Sequence, residues 1–299
     1  MAYHVPVLLA ESIEGLNIKP DGTYVDLTFG GGGHSREIIK NLSPKGTLIG
    51  FDQDKEAMVN GIQDPRFRFV HANFRYLSNY LRYFNIVTID GILADLGVSS
   101  HHFDSPGRGF SFRFDGPLDM RMNLDAELTA REVINSYDPE RLNGIIKNYG
   151  ELPNSKRIVN LICKEREKVA IESMQQLSGL ISPLFPKNSL NKELSKFFQA
   201  LRIEVNREID SLQQMLNQAG NALKSGGRFV VISYHSLEDR LVKNFMKTGN
   251  FQGKVGKDFF GNVTSPFRQI NRKVIMPSAE EVDRNPRARS AKLRIGERV

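Results

Sequence analysis

The chain has 299 residues, of which 40% are hydrophobic and 25% charged, a composition typical of a globular protein with one large domain or two ordinary ones. No apolar run approaches the ~20 residues needed to cross a bilayer, and the first residues lack the basic and then apolar order of a signal peptide. We therefore expect no membrane partner and a cytoplasmic location. The one cysteine, Cys163, cannot form an internal disulfide, and its helix-like surroundings indicate a structural role.

The basic charge is concentrated in the last part of the chain. The net charge is +7, and residues 243–299 hold 13 Lys or Arg against 5 Asp or Glu, which is +8, so residues 1–242 sum to about −1. The densest stretch, RNPRARSAKLR, is either a solvated tail or an ordered segment. Leu293 and Ile295 alternate there with basic residues, which favours a half-buried strand. Ordered arginines at a domain edge suit phosphate contacts.

The first hundred residues alternate between strands and helices. Strands are predicted at 23–28, 47–52, 67–72 and 89–96, each bounded by Gly, Pro, Asn or Asp. A helix is predicted between the first two strands, from the glycines after Phe29 to the turn near Pro44. A strand, a helix and a strand within about 30 residues form a right-handed parallel unit. We therefore predict the α/β class, with a doubly wound, Rossmann-like sheet.

The pattern changes after Gly97. A polar, glycine-rich loop follows, and from about residue 129 to 205 the sequence has helical periodicity interrupted at prolines. A helix at 208–223 and an apolar strand at 228–233 are predicted next, with Ser225-Gly226-Gly227 between them. The late strand indicates that the sheet resumes there.

The domain organisation follows from this interruption. We predict a sheet domain of residues 1–105 and 207–299, with residues 106–206 inserted as a helical substrate-recognition domain. A separate linear domain is the alternative.

The stretch TFGGGGHS, residues 28–35, follows the first predicted strand. Glycine tolerates positive φ and lets a ligand lie against the main chain. A dinucleotide fingerprint would need a glycine at position 35, where Ser35 stands, and a P-loop would need a lysine after Gly33. With Asp26 before the loop and no basic residue in it, we expect a nucleoside ligand with a zwitterionic tail rather than a diphosphate.

Two further residues fit a nucleoside. Asp52 ends the second strand about 20 residues beyond the glycines, where Rossmann-like sheets place the carboxylate that accepts hydrogen bonds from a ribose. Phe74, just after the third strand, can present its aromatic face to an adenine. Turn chemistry at Asp52 and core packing of Phe74 are the alternatives.

Taken together, several motifs carry a resemblance to a known family. They occur in order over nearly the whole chain: VDLTFGGGGHS, ADLGVSS, RGFSFRFDGPLDMRM, YGE, FQALRIEVN, VISYHSLEDR and RSAKLR. In this respect the chain resembles the bacterial ribosomal RNA small subunit methyltransferase H family, also called MraW. The resemblance implies a Rossmann-like S-adenosylmethionine-dependent methyltransferase fold with an inserted helical domain. It also implies methylation of the exocyclic N4 of one cytosine in the decoding region of 16S rRNA, so 16S rRNA or the small ribosomal subunit is the expected partner.

The resemblance also implies which residues contact S-adenosylmethionine. They are the residues that match the family's motifs: Gly32, Gly33, His34, Asp52, Phe74, Asp95 and His102. At the last position the family often has Pro-Gln after GVSS, where this chain has His101-His102.

The expected chemistry assigns two catalytic candidates. The cytosine amino group is a poor nucleophile, because its lone pair is delocalised into the ring, so the enzyme must localise and aim that lone pair. We expect Asp95 either to accept a hydrogen bond from that amino group or to hold the amine of the cofactor, and the resemblance favours the second role. His235, which follows the late strand, is expected at the carboxyl edge of the sheet, where it contacts the target nucleotide or only starts the next helix.

The remaining motifs leave alternatives. No cysteine or H-E-x-x-H spacing accompanies the histidines, so we predict no metal site. The loop after Gly97 mixes aromatic and basic residues, namely Phe103, Phe110, Phe112 and Phe114 with Arg108, Arg113 and Arg121. These suit stacking of an unpaired base, or they seat the inserted domain. A methyltransferase of small molecules or proteins, and a non-catalytic RNA-binding protein, are the alternative functions.

Overall fold

The structure, a computed structural model, describes residues 6–257, 259–260 and 265–299, without the side chains of residues 100 and 101. These residues divide into two compact units. The first runs up to Gly97 and resumes at Ile209, and the second is Val98–Glu208. The second unit thus starts a few residues before the predicted insertion. Among the described residues, no helix is long and apolar enough to cross a bilayer.

Seven strands form one sheet in the order β3-β2-β1-β4-β5-β7-β6. They are β1 Thr23–Asp26, β2 Thr47–Asp52, β3 Phe67–His71, β4 Ile89–Asp95, β5 Leu223–Ser233, β6 Phe267–Gln269 and β7 Lys292–Arg298. The first five pair in parallel, and β7 is antiparallel to both of its neighbours. Because β1 lies between β2 and β4, the sheet winds in both directions from its centre. This order confirms the predicted Rossmann-like α/β fold.

Twelve α-helices are assigned in the described residues. They are α1 Leu9–Leu16, α2 Gly33–Lys40, α3 Leu77–Tyr83, α4 Ser100–Asp104, α5 Ala130–Ser136, α6 Pro139–Asn148, α7 Ser155–Arg166, α8 Met174–Ile181, α9 Leu190–Asn206, α10 Glu208–Ala222, α11 Ser236–Thr248 and α12 Ala279–Arg284. Helices α4 to α9 belong to the second unit.

Each unit has its own apolar core. In the sheet unit the central strands are buried along their length, because helices cover both faces of a parallel sheet. In β4, for example, every residue except the last is buried. One core cluster includes Val25, Phe51 and Phe229, and another includes Leu8 and Ile295. In the helical unit, the buried faces of α5 to α9 pack into one cluster of their own.

Strand β5 begins earlier than predicted, and it carries an irregularity. Ile89 pairs with Leu223, but Gly91 pairs with Arg228, so the residues between them on β5 bulge out of register. Gly226 has φ of 77°, a left-handed conformation that glycine adopts without strain. The predicted glycine turn is therefore a bulge within the strand, braced by a hydrogen bond from Lys224 Nζ to Asp90 Oδ2 at 2.8 Å.

The basic segment near the end of the sequence is the ordered strand β7, as predicted, and β5 and β6 pair with its two edges. The prediction that it is half-buried is wrong, because the consecutive residues 293–296 are all buried. Arg294 is buried, and its Nε donates to Asp239 Oδ1 at 2.7 Å. The expectation that this arginine faces a phosphate is therefore wrong, because its guanidinium is already held by an acid of α11.

Replacing Arg294 by Ala is expected to lower the free energy of unfolding by about 3 kcal/mol. The half-buried Asp239 then loses its nearer cation and keeps only Lys292, whose Nζ lies 3.7 Å from Asp239 Oδ2. The side chains of the pair are only 10% and 15% exposed. As a control, Arg268→Ala breaks an ion pair with Glu297 in which the arginine is 69% exposed, and should cost under about 1 kcal/mol. Urea denaturation measures both. Equal losses in the two variants would contradict the assignment.

Candidate functional site

Three acidic residues stand at the carboxyl edge of the sheet. Asp26 ends β1, Asp52 ends β2, and Asp95 ends β4. These strands are parallel neighbours, and the direction of winding reverses between β1 and β4. Open α/β sheets bind ligands in the crevice outside the strand ends at such a switch point. We call these three acids together with residues 28–35 the edge site.

The glycine loop of the edge site is shaped by its main chain. Gly30 and Gly32 have φ of 50° and 74°, in the left-handed region. Gly32 lies before α2, and Gly33 is the first residue of that helix. A Cβ at Gly33 would lie 2.2 Å from Pro6 Cγ. Pro6 therefore packs directly on the loop, and at position 33 only glycine leaves room for it.

The side chain of Asp26 accepts hydrogen bonds from both ends of the glycine loop. Its Oδ2 accepts from Ser35 Oγ at 2.6 Å, and its Oδ1 accepts from the Thr28 N–H at 3.1 Å. The two bonds link both ends of the glycine loop to the end of β1. Burial raises the pKa of Asp26 to about 6, and the two hydrogen bonds work against this shift. Asp26 therefore acts as an internal support that carries an unusually basic carboxyl group.

Asp95 is held from two directions. Its backbone N–H donates to Thr28 Oγ1 at 2.7 Å, which connects β4 to the glycine loop. The Tyr234 hydroxyl, at the end of β5, donates to Asp95 Oδ1 at 2.8 Å. The backbone of Asp95 is thus tied to the glycine loop, and its side chain is oriented by Tyr234.

The electrostatics of Asp95 favour a cationic ligand. The pKa of Asp95 is raised to about 6, mainly by burial. The charges of Asp26 and Glu238 act in the same direction, whereas His34 and the Tyr234 hydrogen bond oppose the rise. No Lys or Arg is among these groups. Because the ionised carboxylate lacks a strong cation beside it, a positively charged group placed there would stabilise it.

Asp52 is engaged by the glycine loop itself. Its Oδ2 accepts from the Gly30 N–H at 2.7 Å, and its Oδ1 accepts from the Asp54 N–H at 2.8 Å. A carboxylate oxygen has two lone pairs and can accept more than one hydrogen bond, so these contacts do not exclude a ribose. Contact with a ribose therefore stays a prediction for Asp52, while a role in shaping the loop is evident.

Phe74 lies one strand further along the same edge. It opens a short 3₁₀ turn in which the Asn73 side chain accepts from the Arg75 N–H, and its ring packs partly against the core of the sheet unit. Both of the roles considered from the sequence, packing and adenine contact, are compatible with a half-buried ring. The contact with adenine stays a prediction.

The side chain of His34 is directed into the protein. The residue is buried, and its Nε2 donates to the carbonyl oxygen of Val7 at 3.1 Å. Burial lowers the pKa of His34, so the ring is neutral at pH 7. Glu281 of α12 accepts from the Leu8 N–H at 2.8 Å. The imidazole therefore secures the N-terminal residues, and any cofactor contact from this position involves the main chain.

His235 is the N-cap of α11. Its Nδ1 accepts from the Glu238 N–H at 3.4 Å, and its Nε2 lies 3.2 Å from Glu238 Oε1. The Glu238 side chain also accepts from the Tyr234 N–H at 3.0 Å. The histidine thus has the structural role considered from the sequence, at the carboxyl end of β5, and contact with the target nucleotide stays a prediction.

His102 lies in the helical unit. It is buried, it completes a capping box with Ser99 at the start of α4, and its ring centroid is 4.8 Å from that of Phe110. Its contact with the cofactor stays a prediction.

The aromatic and basic loop of the helical unit is largely internal. Phe110 is buried in its core, and Phe112 stacks on Phe198 with centroids 5.4 Å apart. Arg108 is also buried and donates to backbone carbonyls, and Arg121 pairs with Asp119 at 2.7 Å. These four side chains therefore seat the helical unit, and the alternative of base stacking is wrong for the buried Phe110. Phe114 is 53% exposed and Arg113 is also exposed, so base stacking stays a prediction for Phe114.

Tyr234 contacts the edge site, and it is the residue that the sequence interpretation missed. It follows β5 directly, and it lies 139 positions from Asp95. The only signal in the sequence was that a polar residue follows an apolar strand. A residue that follows a parallel strand lies at the same edge of the sheet as the residues that end the neighbouring strands.

Replacing Tyr234 by Phe is expected to weaken cofactor binding roughly tenfold at neutral pH and to move the pH midpoint of binding upward. The hydroxyl donates to the ionised Asp95, and hydrogen bonds to charged groups are the stronger ones. Removing it raises the pKa of Asp95 further, so a higher pH is needed to ionise the carboxyl group. Calorimetric titration with S-adenosylmethionine between pH 5 and 8 measures the midpoint.

The control for this variant is Tyr24→Phe. The Tyr24 hydroxyl is also partly buried and hydrogen-bonded, but it accepts from the Lys19 N–H near the other end of β1. It should leave the pH midpoint unchanged. An unchanged midpoint in Tyr234→Phe would exclude control of Asp95 by the hydroxyl.

The fold and the edge site together define a class of protein. A doubly wound sheet, a glycine loop without the lysine of a P-loop, and buried acids at the switch point are features of an α/β enzyme that binds a nucleoside cofactor. The MraW methylase family matches residues 1–299, so the chain belongs to that family. Membership confirms the resemblance seen in the sequence, the methyltransferase class, and S-adenosylmethionine as the cofactor.

Curated relatives cover essentially the whole chain. One from Bacteroides fragilis, named ribosomal RNA small subunit methyltransferase H, is 60% identical over 296 residues, which are 99% of this chain and 97% of the relative. Another of the same name from Christiangramia forsetii is 52% identical over 299 residues, 100% of this chain and 99% of the relative. Among solved structures, an rRNA methylase from Streptococcus thermophilus aligns with a TM-score of 0.44 and 11% identity, over 100% of this chain and 99% of that one.

Proposed function

We propose that the protein transfers a methyl group from S-adenosylmethionine to the exocyclic N4 of a specific cytosine in the decoding region of 16S rRNA. The observation that carries the proposal is the match to relatives named ribosomal RNA small subunit methyltransferase H, at 50–60% identity along the whole chain. The names of these relatives state ribosomal RNA methylation. The family resemblance of the motifs supports the cytosine N4 and the decoding region.

The residues of the edge site fit this cofactor. The methionine part carries a sulfonium and an ammonium, and the buried carboxyl group of Asp95 has no Lys or Arg among the groups that act on its pKa. The main chain at Gly32 and Gly33 would hold the methionine part, Asp52 the ribose and Phe74 the adenine. When bound, the cofactor supplies an electrophilic methyl group on its sulfonium.

The protein's own part in the reaction is to position groups and to exclude water. A hydrogen-bond acceptor that binds the N–H of the cytosine amino group increases the electron density on its nitrogen. Alignment of that nitrogen with the methyl group supplies much of the rest of the rate acceleration. In the transfer, a C–N bond forms and the C–S bond breaks, with the electron pair remaining on sulfur. The nitrogen then loses a proton to solvent, so no strong general base is required. We assign Asp95 to the amine of the cofactor and His235 to the target base.

The charge of the chain supports an RNA substrate. Residues 243–299 sum to +8, and cations that replace the counterions of a phosphate backbone dominate binding to nucleic acids. We propose 16S rRNA or the small ribosomal subunit as the partner, and the cytoplasm as the place of reaction.

The test is mass spectrometry of 16S rRNA from a strain that lacks this gene, before and after complementation. The expected result is the loss of one methyl group from one cytosine of the decoding region and its return on complementation. Complementation with the Asp95→Asn variant, expressed at the same level, is the matched control and should not restore the methyl group. An unchanged pattern of cytosine methylation in the deletion strain would overturn the proposal.

A further inference from the structure

The segment between α11 and β6 is anchored at both ends. Phe251 stacks on Phe245 of α11, with centroids 5.5 Å apart, and the Asn250 side chain exchanges hydrogen bonds with the backbone of Lys254. At the other end, Phe267 is buried against the ring of Phe229, with centroids 5.8 Å apart. The apolar side chains at the two ends of the segment are therefore used in the core of the sheet unit.

Two aromatic residues between these anchors are exposed. Phe259 is 98% exposed and Phe260 is 86% exposed, and their rings meet edge to face with centroids 5.7 Å apart. Of the 14 exposed large hydrophobic residues in the described chain, five lie between Val255 and Met276. Two adjoining aromatic rings exposed to this extent suit contact with a partner.

The same segment is strongly basic. Residues 250–275 hold five Lys or Arg and one Asp, which is +4. Four of the basic side chains are exposed and form no ion pair within the part of the chain that the structure describes, namely Lys254, Lys257, Arg272 and Lys273. The fifth, Arg268, is paired with Glu297. We call the described residues 250–257, 259–260 and 265–275 the basic aromatic segment.

We propose that the basic aromatic segment binds an unpaired stretch of the RNA substrate, with bases stacked on Phe259 and Phe260 and phosphates held by the exposed lysines and arginines. The inference rests on the proposed function for the identity of the RNA. Proteins that bind single strands combine a positively charged path for the backbone with aromatic side chains that stack on bases. Unpaired RNA is the form whose bases are free to stack in this way.

The charge favours RNA over a second copy of this chain. Two copies of a segment with +4 would repel each other, whereas a phosphate backbone complements that charge. The rings are also exposed almost completely, so both faces of Phe259 are accessible to bases. Self-association through the exposed rings is the competing outcome that the test must detect.

The chain contains no tryptophan, so Phe259→Trp introduces a single fluorescent reporter at the site. A 12-nucleotide oligoadenylate is expected to quench its emission, because a base stacks on the indole. Heparin, a polyanion without bases, should compete for binding at low salt and leave the emission unquenched. Val87→Trp is the matched control, because Val87 is 88% exposed on the same unit, and oligoadenylate should not quench it.

The affinity for RNA gives a second measurement. The Phe259→Ala and Phe260→Ala double variant should bind oligoadenylate about tenfold or more weakly, since stacking on an aromatic side chain contributes that much per base. Lys254→Gln with Lys257→Gln should instead reduce the salt dependence of binding, by roughly one unit of slope for each lysine that neutralises a phosphate. Both variants should keep the affinity of the parent chain for S-adenosylmethionine.

The outcomes separate this inference from the proposed function. Quenching of the Phe259→Trp variant by oligoadenylate, without the expected 16S rRNA methylation, would support the RNA-binding segment and contradict the proposed reaction. Methylation of 16S rRNA by that variant, without quenching by oligoadenylate at low salt, would overturn the inference that the basic aromatic segment binds RNA and would leave the proposed reaction intact. Emission that changes with protein concentration in the absence of RNA, with no response to RNA, would assign the rings to self-association and overturn the proposal.

Discussion

The Asp95→Asn variant is expected to transfer methyl groups about 10²- to 10³-fold more slowly than the parent chain, the loss typical for one preorganised electrostatic contact. Asp95 is half-buried, and its carboxyl group is oriented by the Tyr234 hydroxyl at 2.8 Å. An amide keeps the shape but cannot carry the negative charge that attracts the amine of the cofactor. Single-turnover methylation of 16S rRNA and calorimetric titration with S-adenosylmethionine measure the two parts of the effect.

The same residue predicts a pH dependence. Burial raises the pKa of Asp95 to about 6 in the folded protein. The carboxyl group is therefore ionised above that pH and protonated below it, and affinity for the cationic cofactor should fall about tenfold per pH unit below 6. A cation bound beside it lowers the pKa again, so the complex should keep its charge to a lower pH than the free protein. Asp95→Asn should remove this dependence.

The control for Asp95→Asn is Asp90→Asn. Asp90 is a buried acid on the same strand, but it is held near the other end by Lys224 Nζ at 2.8 Å and by the Thr23 N–H at 3.0 Å. Its replacement should lower stability and leave cofactor affinity and its pH dependence intact. If Asp95→Asn kept both the affinity for S-adenosylmethionine and full turnover, the role assigned to Asp95 would be wrong.

The Gly32→Ala variant is expected to weaken binding of S-adenosylmethionine roughly hundredfold, because small displacements of a positioned site cost that much. Gly32 has φ of 74°, and a Cβ there would lie 2.7 Å from Phe29 Cζ. The Phe29 ring cannot turn away easily, because its centroid lies 5.2 Å from that of Phe67 and 5.4 Å from that of Phe69. The added methyl group therefore displaces the loop. The free energy of unfolding should fall by about 2–4 kcal/mol, the sum of backbone strain and overpacking.

Gly226→Ala separates these two causes. Gly226 has φ of 77°, so the backbone strain is matched, but a Cβ there meets nothing within 4 Å. This variant should lose about 1 kcal/mol of stability and bind the cofactor as the parent chain does. Calorimetry and urea denaturation of both variants give the comparison. Equal changes in cofactor affinity would show that the packing around Gly32 is irrelevant to the site.

The sequence predicted the strands well where an apolar run is bounded on both sides by turn-forming residues. Strands β1 to β4 were placed within two residues of their bounds, because each is a short apolar run between turn residues. The glycine turn after α10 was read as a helix stop, but it is a bulge of β5. Periodicity cannot distinguish the two, because a bulge depends on the register with the neighbouring strand.

The site was predicted less completely than the fold. Motifs identified the residues of the edge site, but they could not show that the His34 ring turns inward to Val7 or that the Asp52 carboxylate accepts from the Gly30 N–H. The contact between Tyr234 and Asp95 joins residues 139 positions apart, so no local pattern contains it. Arg294 was assigned to a basic surface because its charge is visible in the sequence, whereas its partner Asp239 becomes its neighbour only through the sheet.

Strand β7 is synthesised long after β5, the strand with which it pairs. Its partner β5 is the last of the parallel strands, and Ser233 and Lys292, which face each other there, are 59 positions apart in the chain. While the protein is synthesised, β5 therefore emerges well before the strand that covers its open edge. An apolar strand with an unpaired edge can associate with other chains during that interval. The helical unit has its own core and can form earlier, so completion of the sheet is the step at which we expect folding to be slowest and most dependent on chaperones.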